Sequence, residues 1–315
     1  MGEHGTGSSR PSARVIRLLS WNVRQGGGRR IPCQVAVIAN ARPDVVALQE
    51  VVAGTVSRYC DRLRAEGLEH CVDSFSLARD REALIGARRY GQLILSRWPV
   101  RPLHKNPVRI PWPERLLSTL VSTPSGVCQV HAAHIPPGAS HGWLKIETFE
   151  GIYERLARPC ADARILCGDF NSPKDELETG EVITFGQVVG SDGTVRLIRH
   201  RGAKPPSRWD AGERSVIVGL TAHGFIDAHR AVHGYAKPAF SWQLNRRSGP
   251  VRRRFDHVFA SDLHPITCEY LHTARAAGLS DHAPILATLG WGPKPGGASD
   301  PLTTANGSSP VCRPT

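Results

Sequence analysis

Four short polar islands each close an apolar, β-like run. They are LLSWNVR (Leu18 to Arg24), VVALQEV (Val45 to Val51), RILCGDFNS (Arg164 to Ser172) and LSDHAPI (Leu279 to Ile285). Each sets a carboxylate, carboxamide or imidazole where a buried strand would surface. Asn22, Glu50, Asp169, Asn171, Asp281 and His282 then form a set of hard oxygen and nitrogen donors for one cation. Such donors suit Mg²⁺ or Mn²⁺, and the chemistry this set supports is metal-assisted hydrolysis of a phosphate ester. Taken singly, each residue has a plainer reading. Glu50 could be an ordinary surface carboxylate after a strand, Asn22 a turn former before Gly26-Gly27-Gly28, and Asp169 with Asn171 an Asx turn.

The elements that must position these residues alternate along the chain. Strands are expected at Val15–Trp21, Val45–Gln49, Gly91–Ser96, Leu116–Ser122, Val127–His134, Arg164–Gly168, Phe255–Ala260, Ile266–Leu271 and Pro284–Leu289. Helices are expected at Pro32–Ala41, Thr55–Glu66, Gly142–Leu156 and Gly212–Ala222. In the third, Ile146, Phe149, Ile152, Tyr153 and Leu156 recur at three- and four-residue spacing, giving one apolar face. The first ends near Arg42, because Pro43 disfavours helical geometry in the residue before it. VVALQ and RILCG are apolar on both faces and so are expected to be covered on both sides. The class is mixed α and β with a layered core. Phe185 to Arg208, Gly-rich and basic, reads as a long loop near the functional face.

The chain has 315 residues, 40% hydrophobic, enough for a sizeable core. No apolar run approaches the roughly 20 residues needed to span a bilayer. The N-terminal stretch lacks the hydrophobic region of a secretion signal. Met1-Gly2 with Thr6 matches only a short myristoylation pattern that is common by chance. The cysteines are scattered without a C-x-x-C pair, which favours reduced thiols and a cytoplasmic protein without membrane or obligate protein partner. Residues 1–14 read as a disordered arm, 15–290 as the folded domain and 291–315 as a disordered tail rich in Pro, Gly and Ser. Of the net charge of +12, most sits in two segments: Arg196, Arg199, Arg201, Lys204 and Arg208, and Arg246, Arg247, Arg252, Arg253 and Arg254. Such local excess is a footprint for a polyanion or an arginine-rich solvated loop.

The motifs SWN, LQE, GQLILSRWPV, HIPPG, GDFNS, RFDHVFAS and SDHAP occur in that order over roughly residues 15 to 290. In this the chain resembles the endonuclease/exonuclease/phosphatase superfamily, which includes exonuclease III-type AP endonucleases, deoxyribonuclease I, inositol polyphosphate 5-phosphatases and neutral sphingomyelinases. The resemblance implies an α+β, deoxyribonuclease I-like fold. This is a four-layer α/β/β/α sandwich of two packed mixed sheets with outer helices and an active site at one end. It also implies a Mg²⁺-dependent phosphoesterase, with Mn²⁺ as an alternative ion.

Carried onto this sequence, the resemblance makes Glu50 the principal metal ligand, with Asn22 and Asp281 beside it. Asp169 would accept a proton from water, and Asn171 would donate to phosphate oxygens. His282 would pair with Asp256 for acid–base work, because a carboxylate fixes an imidazole's tautomer and raises its basicity. His134 would hold the phosphate or the leaving oxygen, standing where deoxyribonucleases and phosphatases have His and AP endonucleases have Tyr. His257 and His131 should face away from the site and be structural. Arg208, Trp242, Arg252, Arg253 and Arg254 are the expected substrate contacts; Trp112, Trp209 and Trp242 are loop aromatics that would stack on a base or anchor a loop. The substrate expected is nucleic acid. The alternatives are a small or lipid-borne phosphate such as an inositol phosphate or sphingomyelin, and a catalytically silent nucleic-acid-binding module.

Overall fold

Two six-stranded mixed sheets are built from strands scattered along the whole chain. The computed structural model describes residues 14–103, 108–198 and 205–292. The first sheet runs β17 (Leu263–Tyr270), β18 (Ile285–Trp291), β1 (Val15–Asn22), β2 (Val45–Val51), β4 (Gly91–Ser96), β3 (His70–Asp73). The second runs β13 (Ile226–Asp227), β16 (Asp256–Ser261), β8 (Ala163–Asp169), β7 (Gly126–His134), β6 (Leu116–Thr123), β5 (Val100–Pro102). Three two-stranded ribbons stand apart: β9 (Asp175–Glu176) with β10 (Val182–Ile183), β11 (Gln187–Val189) with β12 (Val195–Leu197), and β14 (Trp242–Arg246) with β15 (Gly249–Arg253). The helices are α1 (Ile31–Ala41), α2 (Ala53–Arg64), α3 (Gly138–His141), α4 (Leu144–Leu156), α5 (Pro206–Ile217), α6 (Ala228–His233) and α7 (His272–Ala276).

Three apolar clusters fill the three spaces between four layers. Leu18, Val45, Ala47, Val130, Ala132, Ile165, Cys167 and Val258 meet between the sheets. Trp21, Leu48, Leu93 and Leu95 on the outer face of the first sheet receive Ile31, Ile38, Tyr59 and Leu63 of α1 and α2. Leu166 and Phe259 on the outer face of the second receive Phe149, Ile152 and Val216 of α4 and α5. The fold is thus the expected four-layer α+β sandwich, and the doubly apolar strands are those covered on both sides.

The register of this sandwich creates the site. Along each inward-facing row, apolar residues give way to polar ones at the same end. Leu18 and Ser20 lead to Asn22, Ala47 to Gln49, Ala132 to His134, Cys167 to Asp169, and Val258 to Asp256, all buried. Gly168 lets two of these strands close up. Its φ is +135°, and a β-carbon there would lie 1.9 Å from the Ala133 carbonyl oxygen, so only glycine fits.

Two expectations need correction. The stretch Phe185 to Arg208 is not simply a loop: it carries the β11–β12 ribbon, and α5 begins at Pro206, six residues before the expected Gly212. Pro205-Pro206 supplies the start, since a proline at the first helical position loses no hydrogen bond. Strand β18 extends to Trp291, one residue into the expected tail. The rest of that tail beyond Gly292, the arm through residue 13, and Arg199, Arg201 and Lys204 lie outside the described residues. No helix among the described residues is long and apolar enough to cross a membrane, and the seven described cysteines are free thiols.

Candidate active site

Three strands of the second sheet deliver His134, Asp169 and Asp256 to one line across the sheet. Parallel β7 and β8 set His134 opposite Asp169, and antiparallel β8 and β16 set Asp169 opposite Asp256. Directly paired residues share a face, and here that face is the one between the sheets. His282, in the turn before β18, closes the group: its Nδ1 lies 2.7 Å from Asp256 Oδ2 and its Nε2 3.6 Å from Asp169 Oδ2. His134 Nε2 lies 3.7 Å from both Asp169 Oδ2 and Glu50 Oε1. Asp169, Asp256 and His282 each bring a possible ligand atom within 4.8 Å of the others.

The first sheet contributes Asn22 and Glu50. Simple alternation after Gln49 would turn Glu50 outward. A register shift between Gln49 and Val51, with Glu50 at φ +59°, re-aims it toward the cleft. Asn22 Nδ2 donates both to Glu50 Oε1 (3.2 Å) and to Asp169 Oδ2 (2.9 Å). Its Oδ1 accepts the Arg24 amide (2.9 Å), and because a backbone N–H only donates, this fixes which end of the carboxamide faces the carboxylates. Asn22 thus turns its amide nitrogen to the carboxylates and holds the two together. Glu50 Oε2 accepts the Gln25 amide (2.8 Å) and its side chain keeps 20% exposure. Asp281 stands apart: Trp242 Nε1 donates to its Oδ2 (3.2 Å) and Arg24 approaches its Oδ1 (3.7 Å).

The electrostatics follow from burial and from these partners. Burial chiefly raises the Asp169 carboxyl above its ordinary range; the His282 imidazolium opposes this and the Asp256 carboxylate adds to it. Burial works against charge on His282, but Asp256 and Asp169 hold it protonated well above the usual imidazole range. His134 behaves oppositely. Burial first, and the Arg115 guanidinium second, push it far below that range, so it is neutral. Arg115 Nη1 donates to His134 Nδ1 at 2.5 Å, and a guanidinium cannot accept, so the His134 proton sits on Nε2 and points at the carboxylates.

Arg115 was not legible as a site residue. It is 3% exposed, is anchored by donation to the Ala87 carbonyl (2.5 Å), and its Nε is without a partner. A second buried cation, Lys145 of α4, sits behind Asn171. Its Nζ donates to the Asn171 carbonyl and to Glu213 Oε1, both at 2.9 Å. Glu213 also accepts from Ser172 Oγ (2.6 Å) and Trp209 Nε1 (2.6 Å). The Asn171 amide donates to Asp169 Oδ1 (2.9 Å), and its Nδ2 gives one hydrogen to the Ile135 carbonyl (2.9 Å), leaving the other free to donate.

The histidines read as structural do face away. His131 meets Ser118 Oγ (2.8 Å) and is pushed down to about 3 by burial; His257 meets the Ser172 carbonyl and packs against both Phe170 and Phe259. The expected substrate contacts divide. Trp242 sits at the base of the β14–β15 ribbon, bridged to His282. Arg252 and Arg253 belong to that ribbon, where Arg252 donates to Gln243 Oε1 (3.0 Å). Arg208 lies on α5 in a bidentate pair with Glu150 (2.8 and 2.7 Å). Trp209 is a helix anchor, 6% exposed. Trp112 packs edge-on against His141.

Arg254 is a correction. It is 3% exposed and spends its guanidinium inside the protein, on Glu176 (2.5 and 2.6 Å) and Asp227 (2.7 Å), so it cannot reach a substrate.

Comparison with known proteins returns the same architecture. TDP2 of D. rerio complexed with single strand DNA product is 18% identical, with a TM-score of 0.60 over 87% of this chain and 98% of that one. An AP endonuclease from Archaeoglobus fulgidus is 18% identical, with a TM-score of 0.61 over 86% and 98%. The 3′ phosphatase NExo from Neisseria bound to product DNA hairpin is 20% identical, with a TM-score of 0.56 over 88% and 100%. At such identities these likenesses speak for the fold alone. A search of the curated proteins found no match. The model of the Endonuclease/Exonuclease/phosphatase family matches residues 19–282, a span that holds every residue of the cluster, and the chain belongs to that family of phosphoesterases.

Proposed function

We propose that the protein is a divalent-metal-dependent phosphodiesterase that cleaves nucleic acid. The observation that carries this reading is the convergence of Asn22, Glu50, His134 and His282 on Asp169 Oδ2 or its immediate neighbours. The donor set fits a hard cation. Glu50 and Asp169 lean on one shared N–H₂ group, and Asp256 Oδ1 is buried without a partner. Glu50 would hold Mg²⁺ or Mn²⁺. Such an ion, when bound, polarises a phosphoryl oxygen and offsets charge on the departing oxyanion.

The chain's own groups do the rest. Asp169, raised by burial, is suited to take a proton from an attacking water. His282, oriented by Asp256, presents a charged N–H to phosphate. His134 presents a neutral N–H from the opposite side, with the fixed charge of Arg115 behind it. These donors are held in place before reaction, which is where electrostatic catalysis gains most. Nucleic acid is favoured as substrate by the exposed Arg246, Arg247 and Arg252 on a ribbon attached directly to the His282 segment.

The test is a substrate panel with Mg²⁺ and with EDTA: plasmid DNA, an abasic duplex, RNA, an inositol polyphosphate and sphingomyelin. Hydrolysis of a nucleic acid only with metal is expected. Turnover confined to the small or lipid-borne esters would replace the substrate, and no turnover of any would end the reading.

A further inference from the structure

Asp256 and His282 meet side chain to side chain at 2.7 Å, and the residues described so far do not explain how the backbone of Asp256 is held for that contact. Asp256 lies at the very start of β16, where ladder bonding begins, and His282 lies in a turn outside any strand. The residue between them is Ser241, fully buried at the base of the basic ribbon. Its Oγ accepts the amides of both Phe255 and Asp256, each at 3.0 Å. Its carbonyl accepts the Ala283 amide (2.7 Å), and its own amide donates to the Arg253 carbonyl (2.9 Å). Trp242, the next residue, bridges to His282. Tyr270 Oη holds the other side of Asp256 by donating to its carbonyl (2.7 Å).

His282 is held in its turn by its amide donating to Ser280 Oγ (3.1 Å) and by Trp21 Nε1 donating to its carbonyl (3.0 Å). We propose that Ser241 is the residue that positions Asp256 against it, and that through Ser241 the pair and the basic ribbon move as one body. The catalytic consequence rests on the phosphodiesterase reading; the geometric one does not. Among the described residues, no group other than the Ser241 hydroxyl caps the Phe255 and Asp256 amides from the ribbon side. Without that acceptor, two buried N–H groups lose their partner and the Asp256 backbone is free to shift. A displacement of about 1 Å in such a site costs on the order of 10²-fold in rate.

Two readouts test this. In metal-free protein, the proton shared between His282 Nδ1 and Asp256 should give a far-downfield NMR signal. Ser241→Ala should lose or move it while Ser241→Thr, which keeps the acceptor oxygen, retains it. In turnover assays, Ser241→Ala should lower kcat by roughly 10–100-fold with KM little changed, and Ser241→Thr should restore it. An Ala variant with an unmoved signal and normal kcat would overturn the proposal, as would a change confined to KM. If Ser241→Ala fails to fold, hydrogen exchange in the unaltered protein decides. The Phe255 and Asp256 amides should be as protected as the β16 ladder, and fast exchange would overturn the assignment. Absence of any phosphodiester turnover would defeat the activity reading while leaving the NMR result to judge Ser241.

Discussion

Replacing Arg254 with methionine separates a structural arginine from a substrate-binding one. Its side chain is 2% exposed and bonds two carboxylates that are themselves 5% and 14% exposed, Glu176 and Asp227. In the variant Glu176 keeps Arg230 (2.6 Å), but Asp227 retains only the Arg230 amide and His257 at 3.6 Å. Breaking a buried pair while leaving its partner charged costs about 3–5 kcal/mol. At about 2–4 °C per kcal/mol for a domain of this size, Tm should fall by roughly 6–20 °C. Urea unfolding should show the same loss with an unchanged m-value. Adding Asp227→Asn to Arg254→Met should recover part of it, since the stranded charge is then gone. The salt dependence of nucleic-acid binding should not change, whereas losing a phosphate contact would flatten the log–log slope by about 0.9. A stability loss below about 1 kcal/mol, or a flattened slope, would refute the internal role.

Other outcomes follow from the same geometry. Glu176 is opposed by burial, but Arg254 and Arg230 overcome this and hold it down at about 2 against an ordinary 4.5. A depressed carboxylate stabilises fully above its unfolded pKa and loses that contribution as pH falls through the folded one. Acid unfolding should therefore steepen between about pH 4.5 and 2, with about 3 kcal/mol at stake, and Glu176→Gln should remove that component. Glu50→Ala, Asp169→Ala and His282→Ala should each cut turnover at least ~10²-fold, and near-normal kcat in any one would remove that residue from the chemistry. Asn22→Ala should lower kcat and weaken Mg²⁺ activation, because Glu50 and Asp169 then repel without their shared donor; an unchanged Mg²⁺ titration would contradict this. Arg246→Ala with Arg247→Ala should reduce the salt slope of binding by about 1.8 and leave Tm within a degree or so; a slope that stays put would detach the ribbon from substrate.

Much of the site was readable because strand ends carry it. Asn22, Glu50 and Asp169 close apolar runs and His282 stands just before one, and a buried run bounded by a polar residue tells where the sheet surfaces. What the chain order hides is the direction of each polar end. The Asn22 carboxamide is turned by the Arg24 amide, a decision made within two residues but invisible in residue type. Glu50 reaches the cleft only through a bulge, where alternation alone points it outward. Arg254 looked like the third member of a basic run, yet its partners Glu176 and Asp227 come from 78 and 27 residues away, and only the fold shows that it turns in. Arg115 is the same problem reversed: nothing near PERLL distinguishes it from a surface arginine, and its burial is decided by Ala87 and His134. The start of α5 was available in Pro205-Pro206 but was masked by the glycine-rich, basic stretch before it.

The line His134–Asp169–Asp256 has a consequence for how such a protein can change. One extra residue within Ala163–Gly168 would reverse the parity of everything after it and swing Asp169 to the helix side, where Phe170 and Phe259 now pack. Two extra residues would restore parity but carry the carboxylate about 6.6 Å along the strand, well past its 3.6 and 3.7 Å separations from the two imidazoles. The lengths of these three strands are therefore locked to one another, and drift in length is confined to the connections beyond their far ends.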